Sequence, residues 1–221
     1  MKTNQAVSIV AVCAGVLLSM ASNAAVVTVE NGGANVYYPY TVSSTDLING
    51  MTGTLAGSAL YGSSAVKMTD GIFFEVPSDR GNTAYTLTPA NNSTLTYTLG
   101  AAYNLSSIAF YSASGSGQTR SQQNWTIGYN TDGGASFTTL NLGSWMTDVN
   151  NISNQNTSVK VSVAFTGAEM QGIQKLQFTF LDTGVGAETM YREVDVFGAV
   201  PEPASLALLG LGAMALLRRR R

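Results

Sequence analysis

The sequence contains no histidine and one cysteine, Cys13, and charged residues make up 11% of its 221 positions, against a globular average of about 25%. Without histidine there is no Ser-His or Cys-His nucleophile pair, no imidazole metal ligand and no ordinary general base for neutral pH. Without cysteine beyond position 13, the rest of the chain has no thiolate nucleophile, no zinc finger and no disulfide. Basic residues are scarce in the middle of the chain. Of the eleven Lys and Arg, five lie at the ends: Lys2 and Arg218–Arg221. The six that remain face all thirteen acidic residues, a net charge of −7 for residues 25–203. Such a body repels phosphate backbones, which excludes nucleic acid as a partner.

The two ends are addresses. Lys2 precedes a nearly unbroken apolar run from Ala6 to Met20, and Ser22-Asn23-Ala24 places small residues at −3 and −1. This is the pattern of a secretory signal peptide over residues 1–24, cleaved before Ala25, and the run is too short for a comfortable bilayer span. Cys13 lies inside the apolar run behind Val12, which is too large for a lipoprotein signal. At the other end, Pro201-Glu202-Pro203 precedes fourteen apolar or small residues, 204–217, and the chain closes on Arg218, Arg219, Arg220 and Arg221. A helix over that stretch would rise about 21 Å, short against a hydrocarbon core of about 30 Å. The arginines would snorkel and stay cytoplasmic.

This tail resembles the PEP-CTERM sorting signal of Gram-negative bacteria. All three parts stand in order over residues 199–221: Pro-Glu-Pro, apolar stretch, arginine cluster. The resemblance implies export by the secretion machinery, transient anchoring by the C-terminal helix and cleavage by an exosortase. The destination it implies is the cell surface or an exopolysaccharide matrix. It implies no activity.

Between the ends, residues 25–198 read as one all-β domain. Apolar and polar residues alternate, with β-branched and aromatic types enriched, in Ala25–Glu30, Thr94–Leu99, Leu105–Ser112, Asn124–Asn130, Ser136–Leu142, Ser158–Phe165, Lys175–Leu181 and Tyr191–Phe197. The gaps are rich in Gly, Ser, Asn and Asp, which make turns. Gly167–Gln174 is the one segment patterned for a short helix. Ser43–Pro77 is less regular and predicts long loops, which are often functional. Many short strands predict a sandwich or barrel.

Four segments together resemble the galactose-binding-like jelly roll of discoidin-type domains and carbohydrate-binding modules. They are Met68-Thr69-Asp70-Gly71, Tyr97–Gly100 leading into Leu105–Ser112, Trp125–Asp132, and Tyr191–Gly198. The tryptophan often found soon after the Asp-Gly turn is missing. The resemblance implies a jelly-roll-like β-sandwich whose first and last core strands lie side by side. It also implies a structural Ca²⁺ shared by Asp70 and Glu193, since hard oxygen ligands suit calcium.

Asn130–Phe137 resembles an Asp-box hairpin, a turn device in which Asp132 caps backbone N–H groups and glycine takes positive φ. Glu193-Val194-Asp195 places two carboxylates on one face of a strand. It resembles the Glu-x-Asp strand of laminarinase-like glycosidases, yet the third acid is absent, because Phe197 and Gly198 stand in its place. Among aromatics, Trp125 alternates as a core residue. Trp145 lies past a strand behind Gly143-Ser144 and is the candidate sugar platform, with Arg120 as a hydrogen-bond donor from a polar loop. Tyr37, Tyr38, Tyr40 and Tyr61 are further ring candidates. The reading that follows is a secreted, non-enzymatic module that binds or organises extracellular polysaccharide. Its rivals are a purely structural matrix protein and a carbohydrate-active enzyme using Glu193 and Asp195.

Overall fold

The computed structural model describes residues 25–32, 40–57, 65–73, 85–87, 93–113, 121–142, 158–167, 170–181 and 189–201. Their regular structure is almost entirely strand. In chain order these are β1 (Val26–Asn31), β2 (Thr54–Ala56), a 3-10 turn (Ala65–Met68), β3 (Tyr85–Leu87), β4 (Thr94–Ala113), β5 (Trp125–Asn130), β6 (Thr138–Thr139), β7 (Ser158–Ala164), β8 (Ile173–Phe180) and β9 (Thr189–Ala199). Every pairing is antiparallel.

The expected break between Thr94–Leu99 and Leu105–Ser112 does not occur. One strand of 20 residues runs through both segments. Its first half pairs with β2 and β8, its second half with β7 and β9. The register shifts between Thr98 and Tyr103, around Gly100, where β4 passes from one sheet to the other. The first sheet therefore runs β1-β7-β4-β9-β3 and the second β2-β4-β8-β5-β6. The helix expected over Gly167–Gln174 is also corrected: Ile173 and Gln174 open β8. Ile173 is fully buried beside Tyr103 of β4, so the tertiary pairing overrides the local pattern. The strand expected over Ser136–Leu142 shrinks to Thr138–Thr139.

The core lies between the sheets. β4 contributes Leu95, Tyr97, Ile108 and Phe110; β7 gives Val159, Val161 and Val163; β8 gives Leu176 and Phe178; β9 gives Val194 and Val196. Trp125 is 1% exposed and stacks on Phe110, ring centroids 3.9 Å apart. Gln123 fixes that corner. Its amide nitrogen donates to the Phe110 carbonyl, Ser112 Oγ and the Val159 carbonyl at 3.0–3.2 Å, and its Oε1 accepts the Trp125 indole N–H at 3.0 Å.

Because strand side chains alternate, the other face of the first sheet is equally defined by register. Three rows cross it. Phe197, Ser107, Ala164 and Val26 form one row, and Asp195, Ala109, Ser162 and Thr28 form the next. Glu193, Tyr111, Lys160 and Glu30 form the third, with a 2.8 Å ion pair between Lys160 and Glu30. Over its β9–β4 side fold Tyr40, Val42 and Phe73, which pack on Tyr111, Ala109 and Ala113. The Tyr40, Phe73 and Tyr111 rings lie about 6 Å apart, edge to face or tilted.

Candidate functional site: three carboxylates on the last strand

Glu193 and Asp195 project from β9 on the face opposite the core, as period two requires. Asp46 meets them from the loop ahead of β2. Its Oδ1 accepts the Ile48 N–H at 3.0 Å, closing an Asx turn, and the Val196 N–H at 3.1 Å. The Leu47 N–H donates to the Val196 carbonyl at 2.9 Å. Ile48, fully buried in the core, holds the loop down. The segment after the 3-10 turn is tied to the same loop: Gly50 N–H donates to the Thr69 carbonyl, and Thr69 Oγ1 donates to the Met51 carbonyl at 2.6 Å. Gly71 there has φ +73°, and a Cβ on it would lie 3.1 Å from Ser44 Cα and from Asn49 Oδ1. Only glycine allows this approach without strain.

One oxygen from each of Asp46, Glu193 and Asp195 lies within 4.8 Å of the others. Glu193 is fully buried, Asp195 1% exposed and Asp46 9%. Asp195 Oδ2 accepts the Ser43 N–H and the Tyr111 hydroxyl, both at 3.0 Å. Four oxygens have no hydrogen-bond partner: Asp46 Oδ2, Asp195 Oδ1 and both oxygens of Glu193. The Gly71 N–H faces Glu193 and favours its charge without completing a bond to either oxygen. Burial, then the Asp195 charge, pushes the Glu193 carboxyl up to about 9. Burial likewise raises Asp195 to about 6, against the Ser43 and Tyr111 bonds that favour its charge. Burial also raises Asp46. The Tyr111 hydroxyl is pushed up by burial and then by Asp195, so it stays a donor.

Unpaired buried carboxylates cost several kcal/mol each. Such a cluster resolves that cost in one of two ways: it keeps protons at neutral pH, or it holds a cation. The open oxygens are hard ligands, and one oxygen from each of the three residues converges. The residues fit a divalent cation of the calcium type, with backbone carbonyls and water to complete its shell.

Asp70 does not stand in this trio. It lies near enough to Glu193 for its charge to raise that carboxyl. However, its Oδ1 accepts the Ile72 N–H at 3.1 Å and its Oδ2 pairs with Lys67 at 3.2 Å. Asp46 was invisible in the sequence as a site residue. The only signal was its place in the irregular stretch 43–77. The hairpin 130–136 is a turn device: Asn130 Oδ1 accepts the Asp132 and Gly133 N–H groups, Asp132 Oδ1 accepts that of Gly134, and Gly133 has φ +72°. Tyr40 is packed rather than presented as a platform, and its hydroxyl donates to the Glu30 carbonyl at 2.7 Å. Trp145, Arg120, Tyr37, Tyr38 and Tyr61 lie outside the described residues, as do 1–24 and, in the tail, Glu202, Pro203 and Arg218–Arg221.

The end of β9 carries the decisive match. The family model for the PEP-CTERM protein-sorting motif matches this chain at its end. Residues 199–221 are a PEP-CTERM sorting motif. The PEP-CTERM motif is the signal an exosortase recognises, so the chain is an exported protein with an exosortase-type processing partner. The motif begins at Ala199, the last residue of β9. Among the described residues no helix is long and apolar enough to cross a membrane, and the apolar stretch of the PEP-CTERM tail lies outside them. No curated protein matches the chain in sequence. Among solved structures it is similar to a family 89 glycoside hydrolase from Clostridium perfringens in complex with 2-acetamido-1,2-dideoxynojirmycin, at 16% identity and TM-score 0.39. That match covers 72% of this chain and 16% of the hydrolase.

Proposed function

We propose that the chain is an exosortase-sorted surface or matrix module that binds extracellular polysaccharide without cleaving it. The PEP-CTERM motif supports this reading: it marks an all-β body for export and surface sorting, and an exopolysaccharide matrix is the destination the resemblance implies. Burial argues against hydrolysis by Glu193 and Asp195. A retaining glycosidase needs two carboxyls flanking the scissile bond about 5–5.5 Å apart. Glu193 is fully buried, with Asp46 from the loop 44–50 beside it, so it has no open side for a sugar ring. The test is to titrate the mature exported protein with polysaccharide extracted from its host while assaying reducing ends. Binding without new reducing ends is expected. Depolymerisation that Glu193→Gln abolishes would establish the enzyme instead, and neither binding nor turnover would leave a structural matrix protein.

We further propose that Asp46, Glu193 and Asp195 hold a calcium ion, a role assigned from sequence to Asp70 and Glu193. The four unpartnered buried oxygens support it. The ion would pin the loop 44–50 to β9, a structural role consistent with a binding module.

A further inference from the structure

The three side-chain rows on the outer face of the first sheet differ sharply in bulk. The middle row carries Ala109, Ser162 and Thr28 beyond Asp195. On one side the flanking row is bulky at its ends, Phe197 and Val26, and small between them at Ser107 and Ala164; on the other stand Tyr111 and the Lys160–Glu30 pair. Small side chains beside these larger ones make a trough. The flanking rows are four residues apart along each strand, about 13 Å, and the open part lies over β7 and β1 beside Phe197, because Tyr40, Val42 and Phe73 pack on Tyr111 and Ala109 at the β9–β4 end. A cavity of about 380 Å³ opens here, with Thr41–Ser43 closing it near Asp195.

The lining has a definite chemistry. Phe197 is 37% exposed and Val26 51%, so one wall offers apolar surface to the solvent. The floor offers the Ser162 hydroxyl, with the Thr41 hydroxyl above and Asp195 buried beneath. These groups both donate and accept, and Lys160 brings donors beyond the one engaged by Glu30. Among the described residues that line the trough the one ammonium, Lys160, is already paired with Glu30. A phosphate or uronate would have to compete with Glu30 for it. A neutral sugar ring, apolar on its C–H face and hydroxylated at its rim, matches both the wall and the floor.

We propose that this trough, rather than the loops, is the saccharide site, and that it takes a neutral glycan chain laid over β7 and β1 beside Phe197. The proposal rests on the polysaccharide-binding reading above and names its site. Asp195 belongs to both the trough and the carboxylate trio. Its Oδ2 holds Ser43 N–H and the Tyr111 hydroxyl in place, and both of those residues line the trough.

Affinity gel electrophoresis of the mature protein from its exporting host tests this, in gels containing host polysaccharide, neutral glucan, galactan or mannan, or polygalacturonate. Retardation is expected in host polysaccharide and in at least one neutral gel, and not in polygalacturonate. Ser162→Tyr fills the trough from a half-exposed position and should weaken binding at least tenfold with the melting temperature kept within a few degrees. Phe197→Ala should weaken it several-fold, and it decides the matter should Ser162→Tyr fail to fold. Trp145→Ala should bind like the wild type. If both trough variants bind normally and Trp145→Ala does not, the trough is overturned while the polysaccharide-binding reading stands. Preference for polygalacturonate overturns the neutral-ligand assignment, and a wild type that no gel retards overturns both.

Discussion

The Asp46 side chain completes the backbone ladder of Val196: its Oδ1 accepts the Val196 N–H at 3.1 Å, while the neighbouring Leu47 N–H donates to the Val196 carbonyl at 2.9 Å. A carboxylate thus stands where a strand would supply a carbonyl, 150 residues away in sequence. This places the Asp46 carboxylate against Glu193 and Asp195. The carboxylate trio is therefore a by-product of how the loop 44–50 is stitched to β9, and disturbing one should disturb the other.

Calcium should stabilise the protein. Ligand linkage gives about 2.7 kcal/mol at a free ion concentration 100-fold above Kd. For a chain of this size that corresponds to a rise of roughly 5–10 °C in melting temperature. Differential scanning fluorimetry in calcium and in excess EDTA, at matched ionic strength, measures it. Glu193→Gln should lose the calcium-dependent rise yet melt no lower than wild type in EDTA, because the amide removes the cost of keeping that buried carboxyl protonated. An unchanged melting temperature for wild type in EDTA removes the ion from the reading.

The metal-free protein should lose stability as pH rises. Asp195 moves from 3.8 to about 6 on folding and Glu193 from 4.5 to about 9. The folded state therefore holds more protons than the unfolded chain between pH 4 and 9, and stability falls with pH across that window. The groups facing them are Asp46, Asp70, Tyr111 and Lys160; the Tyr111 hydroxyl bond and Lys160 favour the charged form of Asp195, and the acids oppose charge. Melting temperatures in EDTA should drop from pH 5 to pH 8. Saturating calcium should flatten or invert that slope, because the ion prefers the deprotonated trio.

Gln123→Met should destabilise by about 1–3 kcal/mol. The substitution keeps the volume but strands the buried Phe110 and Val159 carbonyls and the Trp125 indole N–H. Chemical denaturation should show a lower midpoint with an unchanged slope. Trp125 fluorescence in the native state reports whether the ring stays stacked on Phe110.

Export should trim both ends. Intact mass of the extracellular protein should correspond to a chain beginning at Ala25 and lacking Arg218–Arg221. Deleting the host's exosortase should leave the C-terminal arginines on a membrane-associated form.

Much of this was legible in the sequence, for physical reasons. Alternation in Ser158–Phe165 and Tyr191–Phe197 is a local property and predicted β7 and β9 to within two residues of each end. The same alternation placed Glu193 and Asp195 on one face. The tail was legible because its three parts are contiguous. Asp46 was not, because its partners lie on β9 and its own segment has no period. Gly100 reads as a turn, yet the chain stays extended there. A residue without a side chain is free to pass between two sheets as well as to reverse direction. Ile173 reads as helical because its pairing with Tyr103 of β4 is a tertiary fact.

One further consequence follows from where β9 ends. The sorting motif begins at its last residue, and β9 is not a rim strand: it lies between β4 and β3, paired with β4 from Asn104 to Ser112. Any pull delivered through the C-terminus is directed along the strand axis. It loads the whole β4–β9 ladder in shear at once, instead of peeling it bond by bond. β4 in turn extends through both sheets, so tension entering at Ala199 is shared by the two layers of the body. A tether at the C-terminus would hold the body, in mechanical terms, by its keel.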